Sequence, residues 1–273
     1  MAIPGRELYD DPRFFAGYRR LRETRSGLNE VLEIPALARL LPDVSGASVV
    51  DLGCGAGALA RRLAGAGAAH VLGVDASARM LALARPHPGV GYLRADLETL
   101  ALRPGSADLV VSSLALHYVA DYTGLVARIA TWLRPGGRLV FSVEHPVCTA
   151  RDPMAGWVRA GRAGDAGHDD RVWAVDDYAD EGPRTQTWFV DGVLKYHRRV
   201  STLVNGLLAA GLALLAVVEP VPDPDEVDRR PDLADELRRP SFLMLAAQRP
   251  RHAAASDGGP PAPRQDSGTP SVR

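Results

Sequence analysis

Residues Val49 to Gly57, Val-Val-Asp-Leu-Gly-Cys-Gly-Ala-Gly, place a carboxylate, a thiol and three glycines at the end of an apolar run. The pattern predicts a buried strand that turns tightly into a helix over Ala58 to Leu63. Glycine in such a turn lets backbone amides approach a ligand closely, and a helix N-terminus favours a carboxylate or phosphate. About 20 residues on, Val71-Leu72-Gly73-Val74-Asp75 again ends an apolar strand in a carboxylate, which in an open α/β sheet accepts both hydroxyls of a ribose. Together the two segments predict a site for a nucleoside-containing cofactor.

Gly53-x-Gly55-x-x-Ala58 also fits the dinucleotide fingerprint, a weak signal when it stands alone. Three features favour S-adenosylmethionine over a nicotinamide cofactor. Asp51 stands two residues before the first glycine and puts a carboxylate near the cofactor's ammonium. Asp96 ends the run Tyr92-Leu93-Arg94-Ala95-Asp96-Leu97, where a strand end could hold the adenine amino group. Trp132 to Phe141 reads as a helix end, a Pro-Gly-Gly turn and a buried strand.

Taken in order, residues 45–145 resemble the class I S-adenosylmethionine-dependent methyltransferases. The resemblance implies an α/β, Rossmann-like seven-stranded sheet of order 3-2-1-4-5-7-6, with strand 7 antiparallel. It implies that Gly53 and Gly55 line the methionine moiety, with Cys54 a small filler. Asp75 would hold the ribose, Asp96 and Leu97 would frame the adenine, and Ala76, Met80 and Ser112 would lie along the cofactor. Phe14, Phe15, Tyr18 and Leu21 recur at helical spacing, and Val31, Leu32, Ile34, Leu37, Leu40 and Leu41 form a second apolar face. In the family such N-terminal helices cover the cofactor, and an aromatic near Tyr18 reaches its methionine end. Packing within the helix face is the alternative for Tyr18.

The chain alternates strand and helix from Ser48 to Val143, a pattern that makes a parallel sheet with ligands at the C-terminal strand ends. Leu212 to Glu219 and Ser241 to Gln248 would close it as an antiparallel hairpin, which argues further against a standard dehydrogenase. Their connection, 220–240, has five prolines and many acids and reads as an exposed, partly ordered loop. An insertion, 146–200, carries Trp157, Trp173, Tyr178, Trp188, Phe189 and Tyr196. Its start, Gly156 to Asp170, reads as mobile; Thr185 to Arg199 reads as a solvent-facing hairpin turning at Asp191-Gly192. The aromatics either pack on the sheet or wall an acceptor pocket.

Methyl transfer needs an aligned acceptor and, where required, a group that removes its proton. Candidates follow the fourth and fifth strands: His117 in Ser112-Ser113-Leu114-Ala115-Leu116-His117-Tyr118, and Glu144 and His145 in Glu144-His145-Pro146. Neighbours on a strand point to opposite faces, so at most one of Glu144 and His145 faces a given pocket. The first segment departs from the Asn/Asp-Pro-Pro-Tyr motif of amino-methylating nucleic-acid enzymes. With Tyr9-Asp10-Asp11, Gly27-Leu28-Asn29-Glu30, Val143 to Pro146 and Lys195-Tyr196-His197, it resembles actinobacterial type-11 methyltransferases. These include indole C3-methyltransferases acting on tryptophan-containing diketopiperazines in natural-product pathways. The expected acceptor is a small, largely apolar, aromatic molecule methylated on C, N or O. A non-catalytic cofactor-binding protein and a nicotinamide-dependent oxidoreductase are the rival classes.

A net charge of −1 over 273 residues gives no basic field for nucleic acid or an anionic membrane. Lys195 is the single lysine, and two cysteines make no disulfide framework. No metal is expected, because His87, His168 and His252 are scattered without ligand spacing. The start of the chain has no charged-then-apolar signal, and the apolar run Leu203 to Val218 is broken by Asn205, Gly206 and Gly211. The expected organisation is a helical cap (1–44), a methyltransferase domain (45–248) and a disordered tail (249–273). A cytoplasmic monomer or homodimer, with a small molecule as its partner, completes the reading.

Overall fold

The computed structural model describes residues 2–24, 27–152, 154, 156–159 and 171–251. His168, most of the Gly156 to Asp170 segment, and the tail beyond 251 lie outside the described residues. The chain begins with α1 (Gly5–Leu8), α2 (Pro12–Thr24), a π-helical turn (Asn29–Glu33) and α3 (Ile34–Leu40). It then alternates β1 (Ser48–Leu52), α4 (Ala58–Gly65), β2 (His70–Asp75), α5 (Ala78–Ala82), β3 (Val90–Arg94) and β4 (Ala107–Ser112). A 3-10 turn (Leu116–Tyr118), α6 (Tyr122–Trp132), β5 (Leu133–Glu144) and α7 (Pro146–Thr149) follow. The insertion holds β6 (Trp157–Arg159), β7 (Arg171–Trp173), β8 (Gly182–Trp188) and β9 (Val190–His197). Last come α8 (Val200–Ala209), β10 (Ala213–Val218), α9 (Pro224–Arg229), a second 3-10 turn (Pro231–Leu233), α10 (Ala234–Arg238) and β11 (Phe242–Gln248).

The main sheet has seven strands in the order β10-β11-β5-β4-β1-β2-β3. β11 runs antiparallel to both β5 and β10, and the remaining neighbours are parallel. This is the Rossmann-like methyltransferase order expected from the sequence, with β11 as the antiparallel seventh strand. β1 sits between β4 and β2 and sends Val49 and Val50 to opposite faces. Val49 packs with Leu37, Leu63 and Leu109 under α3 and α4; Val50 packs with Val110, Leu125, Ile129 and Leu207 under α6 and α8. Burial on both faces is why the central strands read as unbroken apolar runs.

Three segments differ from expectation. The Pro135-Gly136-Gly137 turn is absorbed into β5 as an irregularity between the pairs Ala107–Leu133 and Leu109–Arg138. Gly136, at φ 84°, donates to the Arg249 carbonyl and Arg249 donates back to Gly137, so the segment stays paired. Residues 220–240 hold two short helices rather than a loop. Asp223 and Glu226 form a capping box around Pro224, a helix start that overrides the proline-rich composition. The β8–β9 hairpin turns at Phe189 (φ 59°), with Trp188 opposite Val190, not at Asp191-Gly192. One face of β9 is turned away from solvent: Val193, Lys195 and His197 are all fully buried.

That hairpin packs on the N-terminal helices. Leu8, Phe14, Val190 and Val193 form one core cluster with Ile3, Tyr9, Tyr18, Tyr118 and Trp188 around it. Phe14 meets Tyr9 edge-on at 5.0 Å and Trp188 edge-on at 5.1 Å. Ile3 donates to the Gly192 carbonyl at 2.7 Å and accepts from Leu194 at 3.1 Å, adding a backbone link. Phe14→Ala should therefore destabilise the protein by about 3–5 kcal/mol in urea unfolding. It should also speed amide exchange in α2 and β9 together while leaving β1 and β4 protected.

Candidate functional site

The C-terminal ends of β1, β2, β4 and β5 open into one cavity of about 1220 Å³, roofed by α2 and the β8–β9 hairpin. Its floor is the turn after β1. Gly53, Gly55 and Gly57 adopt φ values of 71°, 55° and 70°, a left-handed region that side-chain-bearing residues rarely occupy. At Gly53 space is also closed, since a Cβ there would lie 2.3 Å from the Ala115 Cβ. Val74 accepts from the amides of Gly53 and Cys54 at 2.8 and 3.0 Å. Asp75 completes the turn, with Oδ2 accepting from the Gly55 amide and Oδ1 from the Ser77 amide, both at 2.8 Å. Burial raises its pKa against the pull of those amides.

Asp51 is 1% exposed and lines the cavity, and its Oδ2 has no hydrogen-bond partner among the described residues. Burial, then the charges of Asp75 and Glu33, push its pKa up to about 7. A buried carboxylate atom without a donor is what a cationic ligand satisfies. The donor set therefore fits S-adenosylmethionine, whose ammonium Asp51 would hold. Cys54 lines the cavity too, but burial raises its thiol pKa far above the usual range, which suits packing and not nucleophilic chemistry.

Asp96, Leu97, Ala76 and Met80 also face the cavity. Asp96 accepts from the Glu98 amide at 3.0 Å, and Arg6 of α1 approaches it at 3.7 Å. Tyr18 lines the cavity and packs edge-on against Tyr9 at 5.0 Å. Its hydroxyl accepts from Arg22, which pairs with Glu30. Ser112 does not reach the cavity wall. It is fully buried and donates to the Leu52 carbonyl at 2.8 Å, tying β4 to β1.

The three catalytic candidates separate. His117 lines the cavity from the 3-10 turn after β4 and is 5% exposed. Its Nδ1 accepts from the Glu144 amide at 3.4 Å. Burial pushes its pKa down to about 4; Glu144 opposes this, and Lys195 and Arg198 reinforce it. At neutral pH it is therefore uncharged, and the network assigns its proton to Nε2, a donor rather than a base. Glu144 lines the cavity with a quarter of its side chain exposed. Its Oε1 accepts from Lys195, and its buried Oε2 has no partner among the described residues. Burial would raise its pKa, but the Lys195 ammonium and His117 hold the carboxyl below its usual range.

His145 points elsewhere, as the alternation along β5 requires. Its Nε2 pairs with Glu219 at 2.7 Å and its Nδ1 accepts from Val147, capping α7, so it has no place in the cavity. Sequence reading missed three groups. Glu33 is fully buried on the π-helical turn, and its Oε1 accepts from Ser113 at 2.9 Å and Ser142 at 2.5 Å. Its place among Val31, Leu32, Ile34 and Leu37 on an apolar face was the available signal. Lys195, 0% exposed, and Arg239, stacked 4.3 Å above Trp173, are the others.

A family profile described as a methyltransferase domain matches residues 50–141. An S-adenosylmethionine-dependent methyltransferase of Mesorhizobium loti, known from a crystal structure, superposes with TM-score 0.73 at 43% identity, over 82% of this chain and 99% of that one. A trans-aconitate 2-methyltransferase of Paracidovorax citrulli is 32% identical over 85% of this chain and 94% of its own. A ubiquinone biosynthesis O-methyltransferase of Ralstonia nicotianae is 40% identical over 37% of this chain and 45% of its own length. With the glycine turn, Asp75 and the sheet order already in place, the chain belongs to the S-adenosylmethionine-dependent methyltransferases.

Asp51 gives this site a pH signature. An ammonium binds the ionised carboxylate, so affinity for S-adenosylhomocysteine should fall as pH drops through about 7. Because the folded pKa lies above the unfolded one, Asp51 also makes ligand-free stability decline as pH rises from the ordinary carboxylate range to about 7. Asp51→Asn should flatten both trends and weaken binding by about 1–3 kcal/mol, read by calorimetry at pH 6 and pH 8.

Proposed function

We propose that the protein methylates a small, largely apolar, aromatic acceptor held between His117 and the 146–200 insertion. The observation that carries this reading is the continuity of the cavity. It runs from the glycine turn past His117 and Glu144 to Trp173, Trp188 and Tyr196. Aromatic walls orient a planar ring by stacking and edge contacts while leaving one ring atom in line with the methyl group. Trp157 stands behind this wall, edge-on to Trp173 at 5.6 Å, and is not part of the cavity lining.

Charge supports the same acceptor class. Cations near the insertion end have carboxylate partners: Lys195 with Glu144, Arg239 with Glu236, and Arg230 with Asp232. A polycarboxylate such as the one in the Paracidovorax relative's name would meet Glu144 there with its attraction already spent on these pairs.

In this reading Asp51, Asp75 and the glycine turn hold the cofactor, with Asp96 and Leu97 at its base. The bound cofactor supplies an electrophilic methyl group and takes up the electron pair of the broken bond. His117 lines the acceptor space, and α2 and the β8–β9 hairpin join above it through one aromatic cluster. Labelled methyl transfer to a panel of indoles, phenols, quinones, aromatic amines and aliphatic polycarboxylates tests the proposal. Turnover should appear on an aromatic member; turnover confined to polycarboxylates would reject it. Trp173→Ala and Trp188→Ala should each lower kcat/KM about tenfold or more, ~1.4 kcal/mol, with cofactor affinity nearly unchanged.

A further inference from the structure

Lys195 is the chain's single lysine, and it is entirely buried. It lies on the same face of β9 as Val193, beside an otherwise apolar cluster of cap and hairpin. Its Nζ packs 5.2 Å above Trp188 and 5.8 Å from Tyr118, and it donates to Glu144 Oε1. A buried ion pair is a weak source of stability, since apolar residues of similar volume often serve as well or better. The pair also leaves Glu144 Oε2 buried without a donor, although Glu144 lines the cavity. A structural pair would be expected to satisfy both oxygens; this one leaves a position for a donor that the chain does not provide.

We infer that Glu144 takes the proton of the methyl acceptor and that Lys195 is the positioning residue that aims its carboxylate. The inference rests on the methyl-transfer reading of the same cavity and narrows its acceptor to molecules that lose an N–H or O–H proton on methylation. The acceptor's nitrogen or oxygen, or a ring carbon conjugated to it, bonds to the methyl carbon. The methyl–sulfur bond breaks with its electron pair left on sulfur, and the acceptor's proton passes to the Glu144 carboxylate and then to water.

The surroundings of Glu144 leave few other choices. Lys195 faces it from β9, His117 and Tyr118 from the turn after β4, and Cys148 from α7. The His117 Nδ1 already accepts a backbone amide and its Nε2 carries the ring proton, so neither nitrogen offers a free lone pair to the acceptor's proton. Burial holds the Tyr118 hydroxyl and the Cys148 thiol in their neutral forms, the thiol pushed up to about 12. Lys195 is therefore the charge in contact with Glu144, and it decides both the ionisation and the aim of the carboxylate.

Three variants test this. Glu144→Gln keeps size and shape; it should lower kcat on the panel's best acceptor by about a hundredfold or more while S-adenosylhomocysteine affinity stays within about twofold. Lys195→Met should move the acid limb of the kcat profile upward by about one pH unit or more, and Lys195→Arg should restore it. Carboxyl-carbon NMR on cofactor-free protein gives a reading independent of turnover. The resonance lost in Glu144→Gln should titrate at higher pH in Lys195→Met than in wild type. Full turnover in Glu144→Gln, or an unmoved resonance and acid limb in Lys195→Met, would overturn the assignment and leave methyl transfer intact. A protein that binds cofactor but methylates no panel member would count against the acceptor reading instead, with the NMR titration still deciding whether Lys195 controls Glu144.

Discussion

The Asp75 carboxylate lies between two backbone amides, one from the glycine turn after β1 and one from the residue that caps α5. With both oxygens engaged, it sets how far the turn stands from the end of β2, and so where the glycine amides point. Three residues in left-handed geometry would otherwise have several ways to run, because glycine is the least restricted residue. Burial first, and then the nearby charge of Asp75, raises the Asp51 pKa, so the floor is short of positive charge. A cationic cofactor would supply that charge.

Above the floor, the roof joins elements far apart in sequence. α1 and α2 meet the β8–β9 hairpin through Phe14, Tyr18 and Trp188, and the shared cluster makes cap and insertion a single wall. Glu33 performs a related task deeper in. Its Oε1 collects the hydroxyls of Ser113 and Ser142, which stand just past β4 and within β5. The N-terminal region is thereby registered to the two strand ends that carry His117 and Glu144.

How much of this the sequence disclosed depended on what each residue faces. β10 and β11 appear within a residue of the boundaries read from the sequence, because turn residues bracket short apolar runs. The cavity floor was legible for a similar reason: three glycines and two strand-end carboxylates have few other uses together. Ser112 and His145 misled because a polar residue at a strand end can turn either to the ligand or to a neighbouring strand, and only the three-dimensional pairing decides. Lys195 was hidden by the same alternation that revealed the hairpin, since a lysine between Leu194 and Tyr196 reads as the wet face. Here the wet face is the buried one. The helices in 220–240 were readable from Asp223-Pro224 and Glu226, and composition obscured them.

The link between Ile3 and the strand at Gly192 and Leu194 spans most of the chain. During synthesis residue 3 leaves the ribosome about 190 residues ahead of residue 194. During that interval the amphipathic N-terminal helices have no hairpin to rest on, while local strand–helix units can already condense around β1. The nascent protein would therefore pass through a stage in which the cofactor floor exists and its aromatic roof does not. Phe14 and Tyr18 would then stay uncovered until β8 and β9 arrive to pack on them.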